Sequence, residues 1–211
     1  MELQLTPLKR EVVNGENGVS QKGPLSENAS HYSSLTRLAT VGQLKVEGEV
    51  FDVKGLSWMD HEFGTSFLYE DEVGWDWFSI HLDDQRDLMV CRIRRRDGSI
   101  DPHSSGTLIE PDGHSVHLSF DDFKVSPGEI WQSKESGARY PIGWKIEVPK
   151  YQLELKIAAE IDDQELRTAQ TTGVNYWEGA VTVSDSNKKV RGNGYLEMTG
   201  YAGESMGTMF R

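Results

Sequence analysis

YQLELKIAA, residues 151–159, alternates without a break. Tyr151, Leu153, Leu155 and Ile157 are apolar, and Gln152, Glu154 and Lys156 between them are polar. A period of two puts the first set on one face of a β-strand and the second on the other. Similar runs flank it: ARYPIGWKIEV (138–148) before, VNYWEGAVTVS (174–184) and GNGYLEMTGYA (192–202) after. Towards the N-terminus the pattern continues in LKVEGEVFDV (44–53), GLSWMDHEF (55–63), GWDWFSIHL (74–82) and DLMVCRIRR (87–95). TLIEPDGHSVHLSF (107–120) reads as a hairpin about Pro111-Asp112-Gly113, and 121–125 as a short strand. Roughly ten strands at regular spacing, with turn residues between them, predict an all-β antiparallel fold, a barrel in preference to an open sandwich. Closure would remove sheet edges and leave an interior able to hold a ligand. Apolar residues at helical spacing never persist through several turns. KREVVNGENGVSQKGPLSENASH (9–31) is polar and Gly-rich and reads as a linker or wrapping loop after a strand at LQLTPL (3–8).

The chain has 211 residues and a formal net charge of -12. That charge argues against a nucleic-acid backbone or an anionic membrane surface as partner, since both recruit basic patches. The dense basic run RIRRR (92–96) fits a strand end or a turn. No apolar run reaches the length of a membrane span, and MELQLTPLKREVV lacks the apolar segment of a signal peptide. Cys91 is the single cysteine, so no internal disulfide forms; it reads as a small core residue between Met89 and Ile93.

The stretch SWMDHEFGTSFLYEDEVGWDWFSIHL (57–82) mixes carboxylates with tryptophans. Charged groups buried in a sheet face cost several kcal/mol unless paired, so about this stretch the sequence suggests a lined cavity. Alternation puts Trp75, Trp77, Ser79 and His81 on one face, and Asp76 on the other with Phe78, Ile80 and Leu82. A buried Asp76 would have a raised pKa and could serve as a general acid; paired with an arginine or at a solvated strand end it would not. Trp58, Asp60 and Glu62 share a face, with the two carboxylates about 7 Å apart by strand rise. His61, between Met59 and Phe63, reads as a core histidine as readily as a catalytic one. Tyr176 and Glu178 share a face opposite Trp177. Glu197 shares one with Tyr195 and Tyr201, forming a polar aromatic wall that suits a ligand or a structural hydrogen-bond network. No metal-ligand spacing, nucleophile motif or phosphate loop is present.

WMDHEFGT, GWDWFSIHLDD, LMVCRIRRRDG, SGARYPIGWKIEVP, YWEGAV and GYLEMTGYA, in this order, resemble the lipocalin-like family of carotenoid 1,2-hydratases (hydroxyneurosporene synthases) and their AttH-like relatives, often labelled predicted secreted hydrolases. The resemblance implies two lipocalin-like barrels in tandem. This chain would supply the second at residues 41–211, with residues 1–40 the end of the preceding barrel plus connector, and the first barrel a missing or separate partner. It also implies cofactor-independent hydration of a terminal alkene in carotenoid biosynthesis, by a hydro-lyase, and a location that is often exported. On that basis Asp76 or Asp60 is the acid, His61 orients it, and Trp58, Trp75, Trp77 and Tyr176 stabilise a carbocation. Glu178, Tyr195, Glu197 and Tyr201 would line the ligand. The rival expectation is a non-enzymatic carrier of an apolar small molecule; hydrolase chemistry has the weakest support, for want of a nucleophile or metal set.

Overall fold

The computed structural model of the chain describes residues 1–66, 68–185, 190–203 and 206. It is all-β, with two main antiparallel sheets. The first holds β1 (Glu2–Pro7), β2 (Val12–Val13), β3 (Val19–Gln21), β4 (Ala29–Val46) and β5 (Glu49–Ser66). β4 and β5 form one long hairpin, and β1, β2 and β3 pair along the other edge of β4. The second sheet begins with β6 (Glu72–Leu82), β7 (Asp87–Arg95), β8 (Ser105–Ile109), β9 (Ser115–Leu118) and β10 (Lys124–Pro127). A separate small hairpin, β11 (Ile130–Gln132) and β12 (Arg139–Pro141), precedes β13 (Gly143–Val148), β14 (Leu153–Ala159), β15 (Glu165–Leu166), β16 (Tyr176–Ser184) and β17 (Val190–Thr199). The order across the second sheet is β10-β13-β14-β16-β17-β6-β7-β8-β9, with β15 on β16. This sheet curls into a half-barrel, giving the chain its lipocalin-like form. Helix is short where it occurs: one turn, α1 (Ala169–Thr172), and 3-10 turns at Phe120–Asp122 and Pro149–Tyr151.

The alternating residues of the sequence become the two faces of this curl. Phe78, Ile80, Val90, Trp144, Ile146, Leu155, Ile157, Trp177, Leu196 and Met198 fill its interior as one buried cluster. The interior is therefore packed core. The opposite face of the same strands carries Trp75, Trp77, His81, Cys91, Tyr195 and Glu197, and the β4–β5 hairpin lies across it.

Three local readings differ from what the sequence leads one to expect. LKVEGEVFDV is the tip of a hairpin: Glu47 and Gly48 both take positive φ, and Val46 pairs with Glu49. Each arm alternates by itself, and the two-residue turn shifts the parity between them, so that Leu44 pairs with Phe51 across the hairpin. The segment 9–31 contains β2, β3 and the start of β4. Arg92 and Arg94 of the basic run point into the interior of the curl, where both pair with Asp76. The β6–β17 contact is close as well: a Cβ on Gly194 would stand 2.4 Å from the Ser79 carbonyl oxygen. Gly194→Ala must push the strands apart, and a loss of about 1–3 kcal/mol is expected in chemical denaturation.

Candidate active site

The site forms where β4 and β5 cross the outer face of β6, β7 and β17. Two chambers meet there and share Asp60 and Trp77. The first, about 280 Å³, is lined also by Lys22, Tyr32, Glu62, Leu68, Trp75, Cys91, Ile93 and Glu197. The second, about 490 Å³, is lined also by Ser57, Trp58, Ser79, His81, Asn193 and Tyr195.

Asp60 is held by three donors whose directions are fixed. The Trp58 indole N–H donates to Oδ1 at 2.7 Å. Ser34 Oγ donates to the same oxygen at 2.5 Å, and it must be the donor because it accepts from Asn14 Nδ2 at 2.9 Å. Tyr32 Oη donates to Oδ2 at 3.0 Å while accepting from the Trp77 indole N–H at 3.1 Å. Thr107 Oγ1 in turn donates to Asn14 Oδ1 at 2.8 Å, anchoring this chain of bonds in the second sheet. Burial raises the Asp60 pKa, and the hydrogen bonds from Ser34, Trp58 and Tyr32 pull it back. The three donors work against that rise without cancelling it, and they hold the carboxyl in one fixed orientation.

Glu197 has a different environment. Its carboxylate accepts one bond from the Trp75 indole N–H at 2.6 Å. Burial raises its pKa to about 7, against the pull of Trp75 and with the help of the negative charges of Glu178, Asp60 and Glu62. Glu62 forms an ion pair with Lys22 and accepts from Ser30 Oγ at 2.5 Å. Two carboxyls in one aromatic cleft thus differ in setting: Asp60 accepts from three donors and Glu197 from one, a contrast of environments of the kind that separates the roles of paired carboxyls. The Trp58 and Trp77 rings stand edge to face at 6.4 Å between centroids.

The remaining candidates fall into two groups. Tyr176 lies beside Glu197, whose charge adds to burial in raising its pKa. Tyr195 donates to Glu178 at 3.1 Å, and burial pushes its phenol up to about 12. These sit on the cleft side with Trp58, Trp75 and Trp77. Asp76, His61 and Tyr201 do not. Asp76 is fully buried on the inner face of β6, bound by Arg92 Nε at 2.8 Å, Arg94 Nε at 3.3 Å and Tyr201 Oη at 2.8 Å. The β6 backbone separates it from the cleft. Tyr201 crosses to that side because Gly200 takes a positive φ (72°), which breaks the strand parity. His61 is on the exposed face of β5, 5.3 Å from the Phe63 ring. Lys22, Tyr32, Ser34 and His81 are site residues that the sequence reading did not single out. Burial pushes the Cys91 thiol up to about 12, so it lines the cleft as an inert neutral group. Among the described residues no group of three or more His, Cys, Asp and Glu side chains is placed to hold a metal ion, and no helix is long and apolar enough to cross a membrane.

Fold and site together define a lipocalin-like protein with an acidic, tryptophan-walled cleft on the outside of its half-barrel. The chain belongs to the AttH-like family, whose profile matches residues 1–201. Its structure is similar to that of an AttH protein from Nitrosomonas europaea, at 36% identity and a TM-score of 0.87, covering 94% of this chain and 60% of that one. It shares its fold with kievitone hydratase from Nectria haematococca at 19% identity and a TM-score of 0.71, over 93% of this chain and 60% of that one. In sequence it is 23% identical over 160 residues to dehydratase asqC of Emericella nidulans, covering 72% of this chain and 44% of that protein. The chain thus spans less than two thirds of the length of each of these relatives.

Proposed function

We propose that the cleft adds water to, or removes it from, an apolar substrate by acid catalysis, with Glu197 as the acid and Asp60 as the ionised partner. The observation that carries this reading is the contrast between the two carboxyls: one donor at Glu197, three at Asp60, in the same cleft. In the hydration direction the Glu197 carboxyl gives its proton to the less substituted alkene carbon. A C–H bond forms and the other carbon becomes a carbocation. The Asp60 carboxylate and the faces of Trp58, Trp75 and Trp77 stabilise that charge. Water attacks, a C–O bond forms, and the proton it releases returns to the Glu197 carboxylate. Dehydration is the same path reversed, and neither direction needs a cofactor. The hydratase and dehydratase names of two relatives support this reaction class, and the family resemblance supports an isoprenoid chain, such as an acyclic carotenoid, as substrate.

The test is incubation with acyclic carotenoids and with smaller trisubstituted alkenes in ¹⁸O-labelled water. Product heavier by one labelled water is the expected result. Saturable quenching of tryptophan fluorescence by these compounds, with no change of mass in either direction, would make the protein a carrier and end the enzymatic reading.

A further inference from the structure

The second chamber has a different chemistry from the first. Apart from Asp60, which both share, its polar lining is neutral: Ser57, Ser79, Asn193, Tyr195 and His81. Among the described residues no cation lines it to hold a carboxylate or phosphate. His81 is the informative member. Its Nε2 stands 2.6 Å from the Thr36 carbonyl oxygen on the crossing strand β4. A carbonyl oxygen only accepts, so Nε2 carries a proton. Burial lowers the imidazole pKa, and the Arg37 and Lys9 cations add to this against the Thr36 carbonyl and Asp87. The ring is then neutral near pH 7 and its Nδ1 is an acceptor. Nδ1 has no hydrogen-bond partner among the described residues. The imidazole lies beside the Trp58 indole, 5.7 Å between centroids and tilted by 33°, and both rings line the chamber.

We infer that the second chamber binds a neutral hydroxyl group on a flat or apolar ligand, with His81 Nδ1 accepting the hydroxyl proton. The inference rests on the cleft being the substrate site and adds to it a specificity residue. The substrate would carry a hydroxyl remote from the carbon that reacts near Glu197. An isostere lacking the hydroxyl would leave Nδ1 buried without a partner, a difference that binding sites read strongly.

The test uses phenol and toluene, which match in size and differ in the hydroxyl. They are titrated into protein carrying ¹⁵N-labelled histidine at neutral pH. In the free protein the His81 ring should show the Nε2–H tautomer. Phenol should move the Nδ1 resonance saturably and bind at least about tenfold more tightly than toluene. In His81→Phe the preference should fall to within about twofold. The opposite tautomer, or equal affinities in the parent protein, would overturn the inference. Those two readings decide the matter even if His81→Phe does not fold. Absence of turnover on every alkene, with the phenol preference intact, would remove the reaction proposed above and leave this binding role standing.

Discussion

Glu197→Gln is expected to lower turnover by about 10²–10⁴-fold and to raise thermal stability above pH 7. Gln keeps an oxygen for the Trp75 indole N–H but has no acidic proton. The stability gain follows from the direction of the shift. The folded protein holds the Glu197 proton up to about pH 7, against an ordinary value of 4.5. The native state therefore binds more protons than the unfolded chain between these values, and stability falls as pH rises through that window. Above it the ionised carboxylate is a full cost to the fold, and Gln removes that cost. Below pH 4.5 both states are protonated and the variant should melt with the parent. In the parent, turnover should decline as pH rises through about 7, because the acid form is the working form. Melting curves at pH 4 and pH 8 with rates across that range check all of this. A variant that is slower and also less stable at pH 8 would mark Glu197 as a structural group.

The alternation of GWDWFSIHL was sufficient to sort its side chains correctly into two sets, because strand period is a backbone property. It could not tell which set faced the cleft. Both sets contain large apolar residues, and a curled sheet with a second sheet on its outer face buries both. The sign of Asp76 was nevertheless present in the sequence. Counting outward along both strands from a three-residue turn at Asp83–Gln85, centred on Asp84, brings Asp76 opposite Arg92, its ion-pair partner. Strand β4 was hidden for the opposite reason. Its cleft-facing residues Ser30, Tyr32, Ser34 and Thr36 are buried but polar, so burial left no hydrophobic alternation to read. Lys22 was hidden with it, since its place beside Glu62 depends on β3 pairing with β4. Tyr201 was misplaced by one residue of left-handed backbone at Gly200.

Asp87→Ala is expected to lower the melting temperature by about 10 °C and to disorder the cleft. Asp87 starts β7, and its side chain is fully buried between the two sheets. It receives Lys9 Nζ from the β1–β2 connection at 2.8 Å and, from β4 of the first sheet, Thr36 Oγ1 at 3.0 Å and Arg37 through Nε at 3.0 Å and Nη2 at 2.6 Å. Removing the carboxylate strands two cations in a dry interface, and breaking a buried pair in this way costs about 3–5 kcal/mol. The same contacts position function. Thr36 supplies the carbonyl that fixes the His81 tautomer, and it is held by Asp87 through its hydroxyl. Loss of Asp87 should therefore weaken ligand binding in the second chamber as well as the fold. Asp84→Ala is the control, because Asp84 pairs with Arg86 and Arg191 at the surface, where such pairs contribute about 0–1 kcal/mol. Calorimetry of the two variants decides between a clamp and an ordinary ion pair: equal, small shifts would mean that Asp87 does not hold the sheets together, and that the cleft is shaped by backbone pairing and apolar contact alone.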